Sequence, residues 1–153
     1  MSGRYQTQLA AVCARLNQEG AHYVLVDARA LQLWGSSRAT RDIDILIEPT
    51  VQNARRVLAA LEQVGFGLAR GFLAEEVVKK QVTIIGDSPR VDIMTVAWGV
   101  HYKHAHPAAT VFQVEGVDIP TISIDHLIAS KRTGRLQDAA DIVVLEEIKR
   151  LRG

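Results

Sequence analysis

Apolar side chains recur along this chain in two rhythms, one helical and one extended. Over residues 8–16, Leu9, Val12, Cys13 and Leu16 are spaced three and four apart, which predicts a helix that Glu19-Gly20 stops. Tyr23-Val24-Leu25-Val26 is a short β-rich run, and 28–34 returns to helical spacing before Gly35. This predicts a strand, a tight turn and a helix in succession. The pattern repeats with a β-branched strand over 43–48 that stops at Pro49-Thr50. Val51, Ala54, Val57, Leu58 and Leu61 then mark one face of a helix closed by Gly65.

Further along, 77–85 reads as a strand and 91–96 as its hairpin partner, with turn chemistry in Gly86-Asp87-Ser88-Pro89. A second hairpin is predicted where 111–114 and 117–119 flank Glu115-Gly116. Ser123 is placed to cap a helix from 124 to about 132, which Gly134 ends. A last helix begins near Leu136, with Ala140, Val143, Val144, Ile148 and Leu151 on its more apolar side. No internal repeat or linker divides the chain, so one domain over 1–153 is expected.

Composition changes this picture little. With 48% hydrophobic and 23% charged residues in 153, the chain has ordinary globular values and no tract that argues for disorder. A net charge of +1 gives no global field to recruit nucleic acid or an anionic membrane. The local basic groups Arg55-Arg56, Lys79-Lys80 and Lys149-Arg150-Leu151-Arg152 read as solvated faces and a helix C-terminus. A single cysteine, Cys13, rules out an internal disulfide and a cysteine zinc cluster. The start of the chain lacks a signal peptide's apolar stretch, and no apolar run is long enough to span a bilayer. A cytoplasmic protein with no membrane partner is the expectation.

The acidic positions carry the candidate chemistry. Asp42 and Asp44 are two apart at the start of a predicted strand, so the strand period aims both carboxylates at one face. Like charges this close raise one another's pKa, a cost that a shared divalent cation removes. Oxygen donors suit a hard ion, Mg²⁺ or Mn²⁺. Asp92 is isolated in the apolar run Val91-Asp92-Ile93-Met94 and is a candidate third ligand. Three acids on neighbouring strands would suit a two-metal phosphoryl-transfer centre, with ions about 3.5–4 Å apart. The same positions also allow Asp42 to pair with Arg38 or Arg41 while Asp44 and Asp92 face solvent. His101, His104 and His106 invite a zinc reading, but no cysteine accompanies them and Pro107 interrupts any regular element, so a loop or helix end is expected. Trp34 and Trp98 are each candidates for stacking on a base or for core packing.

Residues 24–30 (Val-Leu-Val-Asp-Ala-Arg-Ala), then Gly35 and Arg38-Ala39-Thr40-Arg41-Asp42-Ile43-Asp44, resemble the nucleotidyltransferase superfamily, the minimal DNA polymerase β-like group. That superfamily places a Gly-Gly or Gly-Ser turn after its first strand, a short helix, then Arg-x-Thr-x-Asp-x-Asp, with a third carboxylate on a later strand. The resemblance extends through Ile122-Ser123-Ile124-Asp125-His126-Leu127-Ile128-Ala129-Ser130-Lys131, Gly134-Arg135 and Asp138-Ala139-Ala140-Asp141-Ile142 to a related ending in small bacterial relatives, including AbiEii-like toxins of toxin–antitoxin pairs. It implies an α/β fold with a mixed β-sheet and helices mainly on one side, the acidic site lying at an exposed sheet edge. By the same resemblance Asp42, Asp44 and Asp92 would hold two Mg²⁺ or Mn²⁺ ions, with Asp92 binding metal or activating the acceptor. Asp27, Ala28, Arg38, Thr40, Lys131 and Asp141 would line the nucleotide site, Lys131 approaching the phosphates and Asp141 supporting it. The implied partners are an NTP and an acceptor hydroxyl on RNA, protein or a small molecule, with an antitoxin or a second copy of the chain as a further partner.

The sequence departs from that pattern at Asp27-Ala28, where the family has its small residues. Small residues let backbone N–H groups approach a triphosphate. Asp27 is instead expected to cap the following helix, occupying donors an anion would use. That departure opens a second reading: a degenerate nucleotidyltransferase fold acting as a binding, antitoxin or regulatory partner.

Overall fold

The computed structural model describes residues 3–37, 39–65, 67–87 and 89–153. Ser88, in the first predicted turn, and Arg38 lie outside them. Six strands form one mixed sheet: β1 (Tyr23–Val26), β2 (Ile43–Ile47), β3 (Val82–Ile85), β4 (Val91–Met94), β5 (Thr110–Val114) and β6 (Val117–Thr121), in the order β3-β4-β2-β1-β6-β5. Pairings are antiparallel for β1–β2, β3–β4 and β5–β6, and parallel for β2–β4 and β1–β6. The helices are α1 (Gly3–Gln18), α2 (Asp27–Trp34), α3 (Val51–Gln63), α4 (Ala74–Val77), α5 (Tyr102–Ala105), α6 (Ile124–Ser130) and α7 (Leu136–Arg152).

The apolar runs explain the layering. Every residue of β1 and β2 is buried, whereas the edge strand β3 alternates exposed and buried positions. The middle of the sheet is therefore covered on both faces, and the β3 edge leaves one face open to solvent. Leu9, Cys13 and Leu16 of α1 and Val57 and Leu61 of α3 pack into the same core as Ile45 and Ile47. Burial pushes the Cys13 thiol up to about 12, so it acts as a small core hydrophobe.

Local chemistry sets the boundaries. Thr50 accepts from the Asn53 backbone N–H at the start of α3, and Ser123 accepts from that of His126 at the start of α6, as predicted for Ser123. The β5–β6 hairpin turns through Glu115 (φ 49°) and Gly116 (φ 80°), the positive-φ pair that a two-residue hairpin needs.

Two expectations are corrected. The predicted strand over 77–85 begins only at Val82. The preceding residues form α4 and a turn, because Ala74 and Val77 bury one face against α3 while Lys79-Lys80-Gln81 is too polar for a covered strand. The final helix also turns a different side inward. Asp138, Asp141 and Leu145 are its buried residues, while Val143 and Leu151 are 70% and 71% exposed. Its two aspartates turn inward to Lys131, and of the expected apolar side Ile148 packs against the core.

Candidate active site

The parallel pairing of β2 with β4 puts Asp44 opposite Asp92 in register, so both side chains leave the same face of the sheet. The two are only 7% and 8% exposed. The reading in which both face solvent therefore does not hold. Asp92 is therefore close enough to Asp44 to disfavour its ionised form. Burial first, then the charges of Asp27, Asp92 and Asp42, push the Asp44 carboxyl up to about 8. Asp42, in the loop just before β2, is thus close enough for its charge to be felt at Asp44. Thr40 Oγ1 accepts from the Asp42 backbone N–H at 3.2 Å, which fixes the approach of this loop.

The positive group at this centre is one the sequence reading missed. Arg90 donates through Nε and an Nη to both oxygens of Asp92, at 2.7 and 2.8 Å. That fork is the geometry a guanidinium uses to grip a carboxylate. Hydrogen bonding and charge from Asp92, with smaller contributions from Asp42 and Asp44, push the Arg90 pKa up despite the opposing effect of burial. The signal was present: Arg90 precedes Asp92 by two, the strand period. Among the described residues no group of three or more acidic, histidine or cysteine side chains is arranged to ligate an ion. Asp44 and Asp92 are brought together in register, with the charge of Asp42 felt at Asp44. His101 and His104 stand ring to ring at 6.4 Å, and His106 stacks on Tyr102 at 5.0 Å, in a short helix and the turn that follows it.

A second charged cluster lies beside the first. Asp27 opens α2 at φ 57°, in the left-handed region that favours glycine, so the backbone keeps the conformation of a small-residue turn although the residue is aspartate. It does not cap α2. The cap position is Val26, with no side-chain cap bond, and the Asp27 carboxylate instead accepts from Lys131 Nζ. Lys131 is 5% exposed and also faces Asp141 Oδ2 at 3.1 Å and Asp138 Oδ1 at 3.5 Å. Burial acts most strongly on this ammonium and lowers its pKa, but the Asp27 and Asp141 carboxylates together outweigh it and the net direction is up. Asp138, which the sequence reading gave no role, accepts from Thr133 at 2.6 Å and from Arg135 at 2.7 Å. These contacts and Lys131 hold its carboxyl below the usual range, against the opposing effect of burial. Ala28 is buried behind Asp27.

Trp34 belongs to the core, donating Nε1–H to the Ile122 carbonyl at 2.9 Å and meeting Phe112 edge-on. Trp98 is 59% exposed and lines a cleft with Asp27, Met94, Ser130 and Lys131.

No family model matches the chain, and no curated protein does. Among solved structures it is similar to the crystal structure of lincosamide antibiotic adenylyltransferase LnuA, lincomycin-bound. The TM-score is 0.59 at 16% identity, over 97% of this chain and 98% of that one. The chain has the nucleotidyltransferase fold. Likeness at this level concerns the course of the backbone. No described helix is long and apolar enough to cross a membrane.

Proposed function

We propose that this chain transfers a nucleoside monophosphate from an NTP to an acceptor hydroxyl on RNA, protein or a small molecule, releasing pyrophosphate, and that the transfer depends on Mg²⁺ or Mn²⁺. The observation that carries the reading is the buried, in-register Asp44–Asp92 pair with Asp42 beside it. Crowded buried carboxylates oppose folding, and a pure scaffold gains nothing from them. The donors are all oxygen, which suits a hard divalent ion. Asp42, Asp44 and Asp92 would hold it, with Arg90 releasing one or both oxygens of Asp92. Bound metal would supply the positive charge that positions the triphosphate and stabilises the departing pyrophosphate.

The chain's own groups account for the remaining steps. The acceptor oxygen attacks the α-phosphorus, the bond to the bridging oxygen of the β-phosphate breaks, and the hydroxyl proton passes to Asp92. Lys131 would meet the phosphates, oriented by Asp141 and Asp138, beside the turn at Asp27-Ala28. Thr40 belongs to the loop leading into this site. An adenylyltransferase of the same fold supports nucleotidyl transfer as the general chemistry.

One observation favours a second reading, a degenerate nucleotidyltransferase fold serving as a binding, antitoxin or regulatory partner. Asp27 places a carboxylate on the turn and engages Lys131. The two readings separate in a calorimetric titration with Mg²⁺ and each NTP. Asp27→Gly with Ala28→Ser removes one of the three carboxylates facing Lys131 and relieves the positive φ, so it is expected to tighten Mg²⁺–NTP binding by about tenfold, near 1.4 kcal/mol. Weaker binding in that variant would make Asp27 an added ligand for the metal or nucleotide.

A further inference from the structure

Trp98 sits at the tip of a two-residue turn. Ala97 and Val100 exchange backbone hydrogen bonds at 2.9 and 3.0 Å, while Trp98 (φ 47°) and Gly99 (φ 85°) both take positive φ. Positive φ is costly for a bulky side chain and persists where the surroundings over-determine it. Here Ala97 and Val100 are 3% and 6% exposed, so the turn is anchored in the core while the indole is held out at 59%. Folding gains little from an exposed indole, whereas a ligand gains a large, rigid aromatic face.

The surroundings of the ring are organised. The Arg135 guanidinium carbon lies 5.3 Å from the ring centre. Arg135 is itself fixed by Nε donating to Asp138 Oδ2 at 2.7 Å. Asp138 also faces Lys131, so the indole, its covering guanidinium and the buried ammonium are joined through one carboxylate. The cleft that Trp98 shares with Lys131 and Asp27 also contains Met94 and Ser130, but Asp92 does not line it.

We propose that Trp98, held under Arg135, is the stacking surface for the nucleobase of the bound NTP. The inference rests on the nucleotidyl-transfer reading and extends it to one end of the nucleotide. Sharing a cleft with Lys131, which the nucleotidyl-transfer reading sets against the phosphates, puts the ring within reach of the same bound nucleotide. Every base has a π-face, so a tryptophan seat tolerates base identity, and the guanidinium adds a second planar group to the stack.

The test compares two ligands in calorimetry, each with Mg²⁺: an NTP, and inorganic tripolyphosphate, which has the phosphates without the base. Trp98→Ala is expected to weaken NTP binding by about tenfold or more while changing tripolyphosphate binding less than about twofold. Trp98→Phe, which keeps an aromatic face, is expected to restore most of the NTP affinity. Equal losses for the two ligands, or no loss for either, overturn the base seat while the phosphate site stands. A native chain that binds neither ligand overturns the nucleotide reading and the base seat together. Thermal melts of both variants confirm that the exposed turn has been changed without unfolding the chain.

Discussion

Replacing Lys131 with methionine is expected to destabilise the chain by about 3–5 kcal/mol, the cost of removing one partner from a buried ionic cluster. The ammonium is 5% exposed and is faced by Asp27, Asp138 and Asp141, of which the last two are themselves 5% exposed at the side chain. Methionine fills a similar volume but removes the ammonium that Asp138 and Asp141 share, leaving Arg135 on Asp138. At the size of this chain, the loss corresponds to a fall in Tm of roughly 10 °C. Asp138→Asn and Asp141→Asn added to Lys131→Met are expected to recover part of it by removing the stranded charge. A loss below about 1 kcal/mol for Lys131→Met alone would mean that the cluster is solvated and Lys131 is not its centre.

The second large effect has the opposite sign. Asp44→Asn, alone or with Asp42→Asn, is expected to stabilise the metal-free chain at neutral and alkaline pH. The Asp44 carboxyl is held at about 8 in the fold against an ordinary value of 3.8. Between those values the unfolded chain releases a proton that the folded chain keeps, so this group lowers stability progressively as pH rises from about 4 to about 8. Below that window it has no effect, and above it the penalty is complete. Asparagine removes the titration, so the variant should gain at least about 1 kcal/mol at pH 8, or about 3 °C in Tm, with no gain near pH 4. Added Mn²⁺ should reverse the ranking, raising the Tm of the native chain and leaving the double variant unmoved. Melts in chelator and in Mn²⁺ at three pH values measure all of this. A large loss of stability in the metal-free double variant would show that these acids anchor structural ion pairs.

How much of this was legible in the sequence depended on whether the signal was local. The hairpin at Glu115-Gly116 and the cap at Ser123 are written in adjacent residues, and both are present in the fold. The strand period placed Asp42 and Asp44 together, but the pairing of Asp44 with Asp92 depends on which strands become neighbours, which the resemblance supplied and the residues alone did not. The contacts of Asp27 were not legible. A capping residue and the partner of a lysine 104 positions away look alike until the chain folds. The inward face of α7 is not legible from hydrophobicity, because Asp138 and Asp141, three apart, turn toward Lys131 beside the buried Leu145. Arg90 was overlooked because a basic residue beside a turn is usually solvated, yet its spacing from Asp92 already put both on one face.

The central claim is that the Asp44–Asp92 centre serves a metal-bound nucleotide, and a calorimetric titration of Mg²⁺ with each NTP into the native chain and into Asp44→Asn tests it most directly. Saturable NTP binding in the native chain that requires Mg²⁺ and is lost in Asp44→Asn is expected, although that variant melts no lower. NTP binding that is indifferent to both Mg²⁺ and Asp44, or no binding to the native chain at all, would contradict it.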